Sequence, residues 1–344
     1  MRGPHANPAE IPVLKKLLVA FLLGLGLAPS FARTACLTEC APRLGIVSAF
    51  GAEADLLVAQ TRSARTWLID GNRFTTGTLR GVPVVIVLSG VSMVNSAMVT
   101  QLMIDHFHVQ RLVMSGIAGG VDPTHHVGDV IIPDRWAMPL EVFWNRDATP
   151  PSPCGHDADV SCLGLKLATG ADGRPLPPFE DLFMRETHVR SAASGPAGEF
   201  RFDYPVDAAM LAVARTLRPA LARCGPKAYK SPGAEPDPAL CVKTAPQVVV
   251  GGLGVSGGAF LANAAYRAYL FEQLRAQTFE METAALAHVA RANGIPYIAF
   301  RSLSDLAGAQ DFDADAVALF ASGLAETNEA AVTLAFLEAW GRRK

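Results

Sequence analysis

The chain has 344 residues, half of them hydrophobic and 18% charged, with a formal net charge of -2. That is room for one large globular domain or two, and the charge balance argues against an electrostatic nucleic-acid binder, since no basic or mixed aromatic-basic run occurs beyond the N-terminus. The chain opens on a targeting pattern. In "VLKKLLVAFLLGLGLAPSFA" two lysines precede an apolar run from Leu17 to Leu27, and Ser30-Phe31-Ala32 fits a small-x-small cleavage site. The run is short for a membrane span, although an uncleaved anchor is the alternative. Residues 1–12 are an unusual preamble, and Val13 is an alternative start. The expectation is a signal peptide over 1–32, a mature chain over 33–344, periplasmic or secreted, and no membrane association after cleavage.

Past the signal, "RLGIVSAF" is a β-branched strand, "GAEADLLVAQT" a helix and "VPVVIVLSG" a second buried strand. "VNSAMVTQLMIDHF" carries a helical apolar stripe, "VQRLVMSGIAGG" is a strand entering a Gly-rich turn, and "VGDVIIP" is a fourth strand. From about Asp147 to Lys243 the composition turns Pro-, Gly- and Asp-rich, which reads as an insertion of long loops with some helix. The alternating pattern returns with "APQVVVGGLGVSGG", the helix "LANAAYRAYLFEQL", the strand "PYIAFRSLSD" and a helical tail. Strands alternating with helices predict an α/β fold with a central, mostly parallel but mixed sheet between helical layers.

The six cysteines, Cys36, Cys40, Cys154, Cys162, Cys224 and Cys241, suit an exported chain with disulfides. The sequence-near pairing is the first guess among many. No CxxC occurs, so a metal site is poorly supported. His106, His108, His125, His126 and His288 lack companions at ligand spacing and read as surface residues.

Four motifs remain. "GLGVSG" from Gly252 to Gly257 matches a dinucleotide fingerprint by pattern, but no ribose-binding acid follows it in a clear βαβ unit. "SGIAGG" from Ser115 to Gly120 lies at a strand's carboxyl end, where open α/β sheets bind ligands. Asp305, at the end of "FRSLSD", is placed to act as a general acid or base, or else as a turn or cap residue. "FEMETAALAH", from Phe279 to His288, reads as the start of an Ala-rich helix. There Glu282 shares a face with Ala285, Leu286 and Val289, and Glu280 one with Thr283, Ala284 and Ala287. Glu282 thus points where leucine is expected. A buried unpaired carboxylate is costly and needs a partner or a ligand, unless both acids serve only the helix dipole.

With those runs in order, the segment from Leu44 to about Ala307 resembles the nucleoside phosphorylase and nucleosidase superfamily. It is most similar to the 5'-methylthioadenosine/S-adenosylhomocysteine nucleosidases and their plant storage-protein relatives. The carrying stretches are "LGIVSAFGAEADLL", "GVPVVIVLSGVSMVNSAMVTQLMID", "SGIAGGVDPTHHVGDVIIP", "GVSGGAFLANAAYRAYL" and "FEMETAALAHVARANGIPYIAFRSLSD". The resemblance implies that Asp305 protonates or hydrogen-bonds N7 of the departing purine and that Glu53 orients or deprotonates the attacking water. It implies that Glu282 binds the ribose hydroxyls, Met281 packs on the sugar, Phe260 stacks on the base, and Arg301 supports that end of the site through Glu53. Ile117 and Ala118 would line the pocket. No cofactor and no metal are implied, and a homodimer is.

Phosphorylases of this superfamily resemble one another in clamping phosphate with arginines, the forked donors such an anion suits. Here the early position holds Glu53, the residue before "SGIAGG" is Met114, and Ile117 stands where phosphorylases place a serine. Hydrolysis of a purine nucleoside or a 5'-thio-substituted adenosine is therefore expected. Phosphorolysis is the alternative, and nucleoside binding or storage without turnover the second. Two departures bear on substrate choice: "GAEA" has one acid where the family has a run, and Gly258 replaces an aspartate.

Overall fold

The computed structural model describes residues 36–152, 154, 159–309 and 321–343. The expected signal segment and the first part of the helical tail lie outside the described residues. In chain order the strands and helices begin with β1 (Glu39–Ser48), α1 (Gly51–Ala59), β2 (Arg62–Ile69), β3 (Asn72–Leu79), β4 (Val82–Leu88), α2 (Met93–His106) and β5 (Phe107–Gly120). Then come β6 (Val130–Ile132), β7 (Arg135–Ala137), β8 (Val142–Trp144), β9 (Leu182–Met184), β10 (Thr187–Ser191), β11 (Gly195–Arg201), β12 (Asp203–Pro205) and α3 (Ala208–Ala214). The last part holds β13 (Val248–Val250), β14 (Leu253–Ser256), α4 (Ala264–Leu274), β15 (Ala276–Glu280), α5 (Thr283–Asn293), β16 (Tyr297–Asp305) and a terminal helix, α6 (Leu324–Gly341).

The central sheet runs β12-β7-β14-β15-β5-β1-β4-β3-β2, with β16 joined to β5 and β6, and β13 to β6. β1 pairs in parallel with β4 and β5, and β16 in parallel with β5. These strands are the β-branched runs of the sequence, and β16 is buried along its whole length, as expected for strands covered on both faces. Two helix groups cover them. Met103 of α2 packs with Leu112 of β5 beside Gly45. Ser115, an odd number of positions further along β5, instead meets Glu329 and Thr333 of α6, so α2 and α6 lie on opposite faces.

Part of the antiparallel share of the sheet joins two expected strands, β6 and β16; the rest involves elements the sequence reading passed over. β2 and β3 form a hairpin whose turn residues, Asp70 and Gly71, have φ of 46° and 78°, the two-residue turn whose twist matches the strands it joins. β15 pairs antiparallel with β5, placing Phe279 beside Gly119. "FEMETAALAH" is accordingly not all helix: Phe279 and Glu280 finish β15, and α5 starts at Thr283 with Glu282 as its N-cap. The helical-face assignment of Glu280 therefore fails, since that residue belongs to a strand. "SGIAGG" is not a turn either. It stays in β5, hydrogen-bonded to β16 from Ser115↔Phe300 onward. "GLGVSG" enters β14, which lies in parallel between β7 and β15, rather than opening a helix.

The stretch 147–243 holds β9 to β12, α3 and long connections, and β12 adds to the central sheet by pairing with β7. The disulfides are the sequence-near pairs, Cys36–Cys40, Cys154–Cys162 and Cys224–Cys241. Two histidines depart from the surface reading. His125 is buried against Gln277, 2.9 Å from its side-chain oxygen. His288 is half-buried with Nδ1 3.0 Å from the Tyr204 hydroxyl, and burial lowers its pKa.

Candidate active site

β1 delivers the chain to α1 with Glu53 in the helix's first turn. Its side chain reaches back: Oε2 accepts from the N–H groups of Ala49 at 2.5 Å and Phe50 at 3.1 Å, covering donors that a helix start leaves open. Oε1 accepts from the N–H of Ile117 at 2.9 Å. Glu53 is 1% exposed. Desolvation raises its pKa, against the pull of Arg301 and these backbone donors.

β16 ends in Asp305. One oxygen accepts from the N–H of Ala307 at 2.7 Å and the other from the Ser304 hydroxyl at 2.9 Å. Burial raises this pKa too, partly offset by those two bonds. Gly119 lies opposite in the ladder, and a side chain there would put Cβ 2.9 Å from the Asp305 carboxylate. The third acid, Glu282, sits between β15 and α5. Its Oε1 accepts from the N–H of Ser92 at 2.8 Å, and Ser92 has φ of 98°, a costly conformation for a non-glycine residue. Burial and neighbouring Glu280, opposed by Arg301, push the Glu282 pKa up to about 7.

Arg301 lies beneath these groups at 0% exposure. Its Nη1 is 3.8 Å from Glu53 Oε1, and Nη2 is 3.4 Å from Glu282 Oε2. Its closest carboxyl is neither of these but Glu280. Glu280 also accepts from the N–H groups of Glu282 at 3.0 Å and Thr283 at 2.9 Å and from the Ser256 and Thr283 hydroxyls. Glu280 thus caps α5 from the preceding strand and anchors Arg301. The helix-dipole alternative describes this residue correctly, although from outside the helix. Support of the site through Glu53 is only the longest of three contacts.

A cleft of about 200 Å³ joins these acids. Glu53, Ile117, Ala118, Phe260, Met281, Glu282 and Asp305 all line it, while Arg301 stands behind its wall. Phe260 is at the rim, 61% exposed. The sequence reading missed Glu280, Ser304, Phe50 and Val91, which line it as well. Of these, Glu280 had a signal in the doubled acid of "FEMET"; the others had none. No Lys, Arg or His lines the cleft among the described residues.

The α/β sheet thus brings four buried carboxyls, Glu53, Glu280, Glu282 and Asp305, to one cleft at its strand ends. The chain belongs to the phosphorylase superfamily, whose family model matches residues 43–338. Among its relatives, a 5'-methylthioadenosine/S-adenosylhomocysteine nucleosidase of Halalkalibacterium halodurans is 26% identical over 273 residues, covering 78% of this chain and 87% of that protein. The enzyme of the same name from Lysinibacillus sphaericus is 27% identical over 270 residues, with 77% and 87% covered. In fold the chain is similar to the 5'-methylthioadenosine/S-adenosylhomocysteine nucleosidase of S. pneumoniae bound to a transition-state inhibitor, with a TM-score of 0.57, 24% identity, and 88% of this chain and 100% of that one covered. It is also similar to the futalosine hydrolase of Helicobacter pylori, with a TM-score of 0.54, 19% identity, and 88% and 97% covered.

Proposed function

We propose that the protein is a purine nucleosidase that hydrolyses the N-glycosidic bond of a purine nucleoside, with 5'-thio-substituted adenosine as its substrate class. One observation carries this: Glu53, Glu282 and Asp305, from three separate elements, line a single cleft, and burial raises the pKa of each. Cleavage sends the C1'–N9 electron pair into the purine. Asp305 gives its proton to N7 as the base departs, and its raised pKa favours the proton-carrying form. Glu53 orients a water and takes its proton as oxygen bonds to C1'. The cationic sugar is steadied by carboxylate charge, and Glu282 accepts from ribose hydroxyls. Phe260 stacks on the base, and Met281 packs on the sugar.

Water rather than phosphate suits this cleft. An incoming phosphate would face Glu53 and meet no lining cation, and Arg301 is committed to carboxylates. Phe50, Val91, Ile117, Leu261 and Phe279 make the rest of the lining apolar, which suits a thioether better than a charged 5' substituent.

The test is product analysis with Asp305→Asn. Wild type should release free adenine and free sugar without phosphate, and the variant should lose about 10²–10⁴-fold in kcat while KM changes little. Strict phosphate dependence would establish the phosphorylase alternative. Tight nucleoside binding without turnover in wild type would establish the binding-protein alternative.

The reading extends to a homodimer and to export. Leu88, Val91, Val94 and Met98 are exposed along the end of β4 and the start of α2, and Val91 also lines the cleft, so a second copy seated there would close it. Light scattering should give a dimer, and Val94→Glu a monomer. Residues 13–32 together with three disulfides support a periplasmic or secreted protein, and mass spectrometry of exported protein should find a mature chain starting near Arg33.

A further inference from the structure

Behind the cleft sits a carboxyl for which the proposed chemistry has no use. Glu329 of α6 is 0% exposed. Its Oε2 makes a short hydrogen bond with the Ser115 hydroxyl, which in turn lies 2.6 Å from the Thr333 hydroxyl. Its Oε1 has no hydrogen-bond partner among the described residues. The charged groups that act on it are Glu53 of α1, Arg301 of β16 and Glu326 on its own helix.

Charge counting shows what this implies. Three carboxyls, Glu280, Glu282 and Glu53, lie within 4 Å of Arg301, and the charge of Glu329 acts on it from beyond that distance. Four anions around one cation in a dry interior cannot all be compensated. The donors decide which carboxyl gives way. Glu53 has three backbone N–H groups, Glu280 has two with two hydroxyls and the guanidinium, and Glu282 has one with the guanidinium. Glu329 has a single hydroxyl. An anion with so few donors is the least stable of the four, and a protonated carboxyl needs only the one hydrogen bond it has. Burial accordingly pushes its pKa well above the ordinary carboxylate range.

We propose that Glu329 is a positioning residue that carries a proton at neutral pH, and that this neutrality leaves Arg301 wholly to Glu53, Glu280 and Glu282. An ionised Glu329 would add a fourth claim on the same guanidinium from the far side of β5 and loosen its hold on the cleft acids. Protonated Glu329 then donates its Oε2 hydrogen to Ser115 Oγ, which leaves the serine hydroxyl free to donate to Thr333.

The test is Glu329→Gln in the full-length mature chain, with thermal stability followed from about pH 5 to pH 9. Glutamine is the neutral isostere of a protonated carboxyl. A group whose folded pKa lies above its unfolded value stabilises below the unfolded pKa, and that stabilisation is lost as pH rises. Wild-type stability should therefore fall more steeply with pH than the variant's, by a slope equivalent to about one proton. Equal slopes, or a loss of stability of the same size at every pH, overturn the proposal, because they mean that Glu329 is charged. So does a glutamine chain that fails to fold, since a neutral isostere should be accepted. The activity arm rests on the nucleosidase reading: kcat/KM of the variant should stay within about threefold of wild type near pH 7, and a tenfold loss overturns the proposal. A wild type with no turnover at all would defeat the nucleosidase reading alone, because the stability slope is read without substrate.

Discussion

Replacing Arg301 by methionine keeps much of the side chain's length and removes its charge. The structure sets the size of the effect. The guanidinium is fully buried and donates to Thr283 Oγ1 at 2.9 and 3.1 Å, to the Ile117 carbonyl at 3.2 Å, to Glu282 at 3.4 Å and to Glu280. Breaking a buried ion pair from one side costs about 3–5 kcal/mol. Three carboxyls are stranded here, which points to the top of that range. Glu53 and Glu280 keep backbone donors, which pulls the cost back. For a domain this large the loss corresponds to a fall in Tm of roughly 6–15 °C. The sign with pH is fixed as well. Without Arg301, Glu53 and Glu282 lose the charge that holds their raised pKa values down, so they titrate further above their unfolded values and the stability they contribute at low pH is lost as pH rises. The Tm deficit, measured by calorimetry, should be small near pH 5 and grow toward pH 8. Arg301→Lys should recover part of it, since an ammonium keeps the charge but not the fork. A Tm within about 2 °C of wild type at both pH values, or a deficit independent of pH, would refute the view that this guanidinium holds the cleft acids together.

Further outcomes follow from the same geometry. Glu282 has a folded pKa of about 7 against an ordinary 4.5, so the stability it gives the empty protein is present below pH 4.5 and lost as pH rises through about 7. Its ability to accept from ribose runs the other way, and calorimetric affinity for a non-hydrolysable nucleoside analogue should weaken as pH falls below about 7. Gly116→Ala places a Cβ 2.5 Å from Glu53 Oε1 and against Arg301. It should cost about 1–3 kcal/mol in denaturant unfolding and lower kcat more than KM; full activity would mean that those two side chains need not stay where they are. Cys224→Ser with Cys241→Ser opens a link across 17 positions and should cost about 3 kcal/mol, again read by denaturant unfolding.

Local sequence determined the main strands and most of the helices. β-branched runs at Arg43–Ser48, Val82–Leu88, Leu112–Met114 and Tyr297–Phe300 had few alternatives, because such side chains favour a pleated surface buried on both faces. Which acids meet, Glu53, Glu282 and Asp305, was legible only through the family resemblance that the ordered motifs carry. Tertiary structure decided what those acids lean on. Whether Glu280 ends a strand or starts a helix depends on β15 lying beside β14 and β5, a pairing that no local pattern encodes. Arg301 reaches Glu280 across 21 positions with a whole helix between them, and Glu329 reaches Ser115 across 214. Periodicity reports which side of an element is apolar. A polar contact between distant elements is set by how the sheet stacks them, and by a charge balance that exists only when all four carboxyls and the single guanidinium share one dry interior.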